Sequence, residues 1–243
     1  MAQNIYDDAS FFAEYNKLPR SREGLAGALE WPALREIVGS VKDRSVLDLG
    51  CGYGWFCRWA LENGANRVHG IDISQQMLEK AQRDWPADEQ IKYERTDLDQ
   101  IYLPTSRFDL VFSSLAFHYI RDIKFLFKKI FESLVPGGRL VFSIEHPLFT
   151  APLKPNFDAA TGNWTLNSYQ YEGERVRDWL GTGVKKQHRT LTSYFDALLE
   201  PGFRLEAFQE WKPTEEQLKE NPDWAGEMHR PVFLLVAALR GTT

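Results

Sequence analysis

Cysteine is scarce: Cys51 and Cys57 are the only two in 243 residues. Without a second pair or a C-x-x-C, neither a disulfide framework nor a structural zinc ribbon is expected. Long apolar runs are missing as well. The longest, residues 232–239, falls far short of the about 20 residues that cross a bilayer. The first fifteen residues lack a basic stretch followed by an apolar core, so no export signal is read. Positive charge is not in excess either, since 29 Lys and Arg face 34 Asp and Glu for a formal net charge of −5. Affinity built on phosphate neutralisation is therefore not expected, and nucleic acid is a poor partner. The histidines at 69, 118, 146, 188 and 229 show neither paired helical spacing nor a facial carboxylate pattern, so no metal is assigned. These absences leave the expectation of a cytoplasmic protein without a membrane span. What is present is the composition of a folded globular chain, 43% hydrophobic and 26% charged, with 14% aromatics and eight Trp. That is more aromatic surface than a core of this size needs, and it points to an apolar binding surface.

Between residues 45 and 146, short apolar runs alternate with amphipathic stretches. SVLDL at 45–49 precedes WFCRWALENG at 55–64, RVHGID at 67–72 precedes SQQMLEKAQRDW at 74–85, and IKYERTD follows at 91–97. FDLVFSSL at 108–115, IKFLFKKIFESL at 123–134 and RLVFSIEH at 139–146 complete the series. The pattern predicts an α/β chain with an open, mainly parallel sheet covered on both faces. Ser74 reads as a helix N-cap, and Pro136-Gly137-Gly138 as the stop after the helix ending near Leu134. A single domain is expected over 1–243. It comprises a helical cap at 1–44, a ligand-binding core at 45–146, a lid or substrate insertion at 147–187, and a helix with a closing strand pair at 188–243. The forty-odd residues of the insertion exceed a passive connection.

The sharpest motif is Asp48-Leu49-Gly50-Cys51-Gly52-Tyr53-Gly54, at the end of one predicted strand and the start of a helix. Its spacing is G-x-G-x-G, with Trp55 where the G-x-G-x-x-G of a dinucleotide fingerprint has its third Gly, so NAD is disfavoured. An acid just before the glycines suits a ligand bringing positive charge better than a pyrophosphate. Asp72 ends the next strand, where a carboxylate can accept two hydrogen bonds from a ribose diol or simply cap the following helix. Asp97 can accept from an exocyclic adenine amine, with the Leu98 amide beside it, or sit in a solvated turn. Together the three acids describe adenosine carrying a cation.

At this point the chain resembles the class I S-adenosylmethionine-dependent methyltransferases. SVLDLGCGYG, HGID, TDL at 96–98, FDLVFSSLAFHYI and LVPGGRLVFSIEHP carry the likeness over 45–147, with a looser resemblance to the small-molecule, quinone-biosynthesis members. The resemblance implies a Rossmann-like three-layer sandwich whose seven-stranded, mostly parallel sheet has a reversed last strand. It implies S-adenosyl-L-methionine as cofactor and S-adenosyl-L-homocysteine as product. By position, Gly50, Gly52 and Gly54 would line the methionine moiety with Cys51 in the same loop, Asp72 and Ile73 would take the ribose, and Asp97 and Leu98 the adenine. Ser113 and Ser114 would lie near the sulfonium. Tyr15 and Arg20 would hold the cofactor carboxylate, or else be a packed ring and a solvated cation.

Methyl transfer needs alignment and a dry site, and a general base where the acceptor carries a proton. His118 and His146 both follow sheet strands at the ligand end and are the catalytic candidates, Glu145 being a possible orienting partner of His146. The Asn/Asp-Pro-Pro-Tyr/Phe turn of enzymes methylating adenine or glutamine amines is absent after the fourth strand, where SSLAFHY stands. The rings of the insertion, from Phe149 to Trp179, favour a small organic acceptor. RNA methylation and a cofactor-binding protein without transfer stay open as alternatives.

Overall fold

In a computed structural model, residues 3–85 and 89–242 of the chain are described. Before the sheet stand α1 (Ala9–Tyr15), α2 (Pro19–Arg22) and α3 (Trp31–Val38). Then come β1 (Ser45–Leu49), α4 (Trp55–Glu62), β2 (Arg67–Asp72), α5 (Gln75–Asp84), β3 (Ile91–Arg95), β4 (Phe108–Ser114), α6 (Ile123–Ser133) and β5 (Leu134–Glu145). The insertion holds α7 (Pro147–Thr150), β6 (Phe157–Asp158), β7 (Asn163–Trp164), β8 (Gly173–Trp179) and β9 (Thr182–His188). The chain ends with α8 (Leu191–Leu199), β10 (Phe203–Glu210), α9 (Glu215–Glu220) and β11 (Phe233–Arg240).

Seven strands form the sheet in the order β10-β11-β5-β4-β1-β2-β3. Neighbours from β5 to β3 are parallel, and only β11 runs antiparallel to both its partners. This is the Rossmann-like sandwich with a reversed last strand. Side chains alternate faces along each strand, and the sequence sorts them into two cores. Leu47, Leu49, Leu140 and Phe142 pack with Phe127 and Ile130 of α6 on one side. Val46, Phe112 and Val141 pack with Leu34 of α3, Phe56 of α4 and Leu78 of α5 on the other. The strand order reverses between β1 and β4, which opens a crevice beyond their carboxyl ends.

Local signals explain most boundaries. The Ser74 hydroxyl accepts from the Met77 amide at 3.1 Å, capping α5 as its position implies. Asp122 caps α6 through the Phe125 amide at 3.0 Å. The helical cap is broken rather than continuous, because Pro19 and Pro32 each open a new helix and Gly24 turns the chain at φ 63°. The fifth strand starts five residues earlier than its apolar run suggests. Pro136, Gly137 and Gly138 lie within it, at an irregularity where the pairing with β4 shifts between Phe108 and Leu110; Pro and Gly are tolerated in a sheet at such bulges. The insertion contains a hairpin, β8–β9, that its charged sequence conceals. Its two-residue turn places Leu180 at φ 55° and Gly181 at φ 78°, a primed turn without the usual Asn-Gly signature.

Gly50 is the residue on which the β1–α4 turn depends. It sits at φ 76°, and a Cβ there would lie 2.4 Å from the Ala116 Cβ, whereas Gly52, at φ 52°, would meet nothing within 4 Å. Gly50→Ala is expected to cost about 2–4 kcal/mol in urea unfolding, combining left-handed strain with overpacking. Gly52→Ala is expected to cost only the backbone share, about 1–2 kcal/mol. Equal losses at the two positions would contradict this assignment.

Candidate functional site

A cavity of about 770 Å³ opens at the carboxyl ends of β1, β2, β4 and β5. The parallel strands deliver their loops to this edge. The Gly50 and Cys51 amides donate to the Ile71 carbonyl at 2.7 and 3.0 Å, which joins the loop after β1 to the end of β2. Asp72 completes the join: its Oδ2 accepts from the Gly52 amide at 2.8 Å and its Oδ1 from the Ser74 amide at 2.9 Å. Burial pushes the Asp72 carboxyl up, and these amide donors oppose the shift. Each oxygen keeps acceptor capacity beyond the bond it makes. Asp97, next along the same wall, caps the turn at Leu98–Gln100 through the Asp99 amide at 3.0 Å.

The N-terminal segment crosses the cavity. Asp7 accepts from the Ser74 hydroxyl at 2.6 Å and from the Gln76 amide at 3.1 Å, holding the segment at the start of α5. The Tyr6 and Tyr119 hydroxyls meet at 3.1 Å. Gln3 bonds the hairpin, donating to the Gly183 carbonyl at 3.0 Å and accepting from the Lys185 amide at 2.8 Å. Tyr15 lies edge-on to Tyr6. The Arg20 Nη2 donates to both oxygens of buried Glu30 at 2.9 Å, and Glu30 also accepts from the Ser114 hydroxyl at 3.2 Å. The charge of Arg20 is thus countered from within the protein while the side chain still lines the cavity.

Of the residues singled out by sequence, Tyr15, Arg20, Gly50, Gly52, Asp72, Ile73, Asp97, Leu98, Ser114 and His118 line this one cavity. Asp48, Cys51, Gly54, Ser113 and His146 do not border it. Asp48 is buried beneath the loop, where the Cys57 thiol donates to its Oδ2 at 3.2 Å. Ser113 points into the sheet and donates to the Leu49 carbonyl at 2.7 Å, so its neighbour Ser114 takes the cavity face. His146 is fully buried. Its Nδ1 accepts from the Leu148 amide at 3.0 Å to cap α7, and its Nε2 lies 3.0 Å from Glu210 Oε1. Burial pushes both thiols up, Cys57 to about 11, which leaves neither as a nucleophile near neutral pH.

The acceptor end of the cavity joins His118 and Glu145, which the sequence offers as a catalytic candidate and an orienting partner, to Lys186, which it does not single out for chemistry. Glu145 reaches it from the end of β5, and Lys186 reaches it from β9 and pairs with the Glu145 carboxylate. The Lys186 ammonium stands 5.1 Å from the centre of the Trp179 ring. The Glu145 amide donates to His118 Nδ1 at 3.3 Å, which places the ring proton on Nε2. Burial pushes His118 down to about 4, so the ring is neutral at pH 7. Burial alone would raise the Glu145 carboxyl, but the Lys186 charge and hydrogen bond, with Arg177 beyond, hold it below the ordinary Glu value. Arg177 is anchored through the Thr150, Pro152 and Leu153 carbonyls. Among the described residues, no group of three or more His, Cys, Asp or Glu could hold a metal ion. Among them, too, no helix is long and apolar enough to cross a membrane.

Residues 47–142 match the family model described as a methyltransferase domain. The crystal structure of an S-adenosylmethionine-dependent methyltransferase from Mesorhizobium loti superposes with a TM-score of 0.85 at 48% identity, over 89% of this chain and 100% of that one. An uncharacterised Haemophilus influenzae protein is 32% identical over 97% of this chain and 96% of its own length. The malonyl-[acyl-carrier protein] O-methyltransferase of Enterobacter lignolyticus is 38% identical over 40% of this chain and 38% of its own length.

Asp48 makes stability depend on pH. Burial raises its carboxyl to about 7 in the folded chain, against about 3.9 when unfolded. The folded state therefore holds the proton more tightly. Its contribution is full below about pH 4 and is lost as pH rises through 7. Between pH 5 and 8 the wild type is expected to lose about 2–3 kcal/mol that Asp48→Asn does not lose. Urea unfolding of both at the two pH values measures it; parallel pH dependence would refute the burial argument.

Proposed function

The chain belongs to the S-adenosylmethionine-dependent methyltransferases, and from that premise we propose that it transfers a methyl group to a small organic acceptor enclosed beneath the N-terminal segment and the β8–β9 hairpin. The observation that carries this reading is the ring-walled end of the cavity. Tyr6, Tyr119, Phe149 and Trp179 line it, a surface suited to enclosing a small molecule rather than a phosphate backbone. The similarity to an O-methyltransferase acting on malonyl-[acyl-carrier protein] supports a small acceptor group, over the 40% of the chain that it covers.

The residues fit the cofactor. Above Gly52 lies open room where a Cβ would meet nothing, and the Asp72 carboxylate retains lone pairs on the same wall. Asp72 and Ile73 would hold the ribose, Asp97 and Leu98 the adenine, Gly50 and Gly52 the methionine chain, and Tyr15 with Arg20 its carboxylate. Bound there, S-adenosylmethionine supplies an electrophilic methyl group. The protein's part is to orient the acceptor, exclude water and place hydrogen bonds. His118 serves as a donor through Nε2–H, because its other nitrogen is occupied by the Glu145 amide. That differs from the proton-accepting role its position after the fourth strand suggests.

Asp72→Ala is expected to weaken S-adenosylmethionine binding by about 2–4 kcal/mol in calorimetry, the scale of two charge-assisted hydrogen bonds; unchanged affinity would remove Asp72 from the site. Turnover to S-adenosylhomocysteine across a panel of small organic acceptors tests the activity itself. With the best acceptor, His118→Ala is expected to lower kcat about 10–100-fold, and cofactor affinity less than threefold. Cofactor binding without turnover on any acceptor would favour a non-catalytic protein, and steeply salt-dependent RNA binding would favour an RNA substrate.

A further inference from the structure

Glu145 stands apart from the other carboxylates of the cavity. Asp72 is committed on both oxygens to backbone amides, and Asp97 caps a turn. The Glu145 Oε1 pairs with Lys186, whereas its Oε2 is buried and has no hydrogen-bond partner among the described residues. The side chain is only 13% exposed. An ionised oxygen shut away from water without a donor is unfavourable, and a catalytic role is one of the few reasons native structures keep such a group. The charged and ring groups that act on it are donors: the Lys186 ammonium, the Arg177 guanidinium and the Nε2–H of His118. The last torsion of a Glu side chain is soft, so a small rotation of the carboxylate presents either oxygen to the cavity.

We propose that Glu145 is a catalytic residue that receives a hydrogen bond from the acceptor's nucleophilic O–H or N–H and takes its proton during methyl transfer. The proposal rests on the methyltransferase reading and narrows its acceptor to molecules whose nucleophile carries a proton. In the step, the acceptor's bond to hydrogen breaks and its electron pair goes to the new bond to carbon. The proton passes to Glu145, and the pair of the breaking carbon–sulfur bond stays on sulfur, leaving a neutral thioether. Lys186 keeps the carboxylate ionised and positioned before the acceptor arrives. The His118 tie to the Glu145 amide fixes the strand end that carries it.

Phenol and toluene are the probes, because they match in shape and differ in a single donor. In an apolar pocket without an acceptor, toluene binds more tightly. With Glu145 accepting, phenol is expected to bind the full chain at least tenfold more tightly than toluene in an NMR titration, with or without S-adenosylhomocysteine. In Glu145→Gln the preference is expected to fall below threefold. The double variant Glu145→Leu with Lys186→Met, which removes both members of the ion pair, is expected to reverse it. Toluene binding as tightly as phenol to the wild type, or an undiminished phenol preference in both variants, would overturn the proposal. Failure of S-adenosylhomocysteine to bind would count instead against the cofactor reading, since the phenol preference is read on the unliganded chain as well.

Discussion

The Asp72 carboxylate is the joint on which the ligand-binding edge depends. A parallel sheet delivers the ends of β1 and β2 side by side, and the Gly50 and Cys51 amides on the Ile71 carbonyl fasten only the first residues of the loop after β1. Asp72 holds both loops by accepting one amide from each, Gly52 on one side and Ser74 on the other. Burying a carboxylate is unfavourable unless donors meet it, so the two loops are held where their amides can serve. The glycine turn and the start of α5 then form opposite walls of one crevice. Ser74 extends the arrangement, since its hydroxyl also donates to Asp7 and brings the N-terminal segment over the top.

Closure of the cavity is a long-range matter. The N-terminal segment, the ends of β4 and β5, and the β8–β9 hairpin are far apart in the chain and meet only there. Tyr6 reaches Tyr119, Gln3 reaches Gly183 and Lys185, and Lys186 reaches Glu145. The aromatic excess noted in the composition is divided between this enclosure and the core. Tyr6, Tyr15, Tyr119 and Trp179 form the wall, while Trp31 and Phe56 pack with Phe112 in the layer behind the sheet. Charge follows the same economy, because Arg20 and Lys186 enter the cavity already paired with Glu30 and Glu145.

How far the sequence reads on its own depends on the range of the contacts concerned. The strand and helix alternation, the Ser74 cap and the glycine turn are local patterns, and they appear in the fold where they are read. The wall that would face the cofactor, Asp72 to Leu98, sits at strand ends and is equally legible. What fails is the choice between neighbours at a strand end. Ser113 and Ser114, or Glu145 and His146, differ by one position, and a strand turns successive side chains to opposite faces. Ser114 and Glu145 face the cavity, while Ser113 and His146 are spent on a carbonyl and a helix cap. Asp48 is misread for a related reason: its motif position suggests a ligand, but its side chain points under the loop to Cys57. The hairpin is hidden because its strands are charged and its turn is Leu-Gly.

The central claim is that the crevice joined by Asp72 is where S-adenosylmethionine binds, with the acceptor held beyond it against His118 and Glu145. A crystal structure of the chain with S-adenosylhomocysteine tests it most directly. The account predicts the ribose diol on Asp72, the adenine between Asp97 and Leu98, and the sulfur directed toward the ring-walled end. A ligand bound elsewhere, or one whose ribose makes no contact with Asp72, would contradict it.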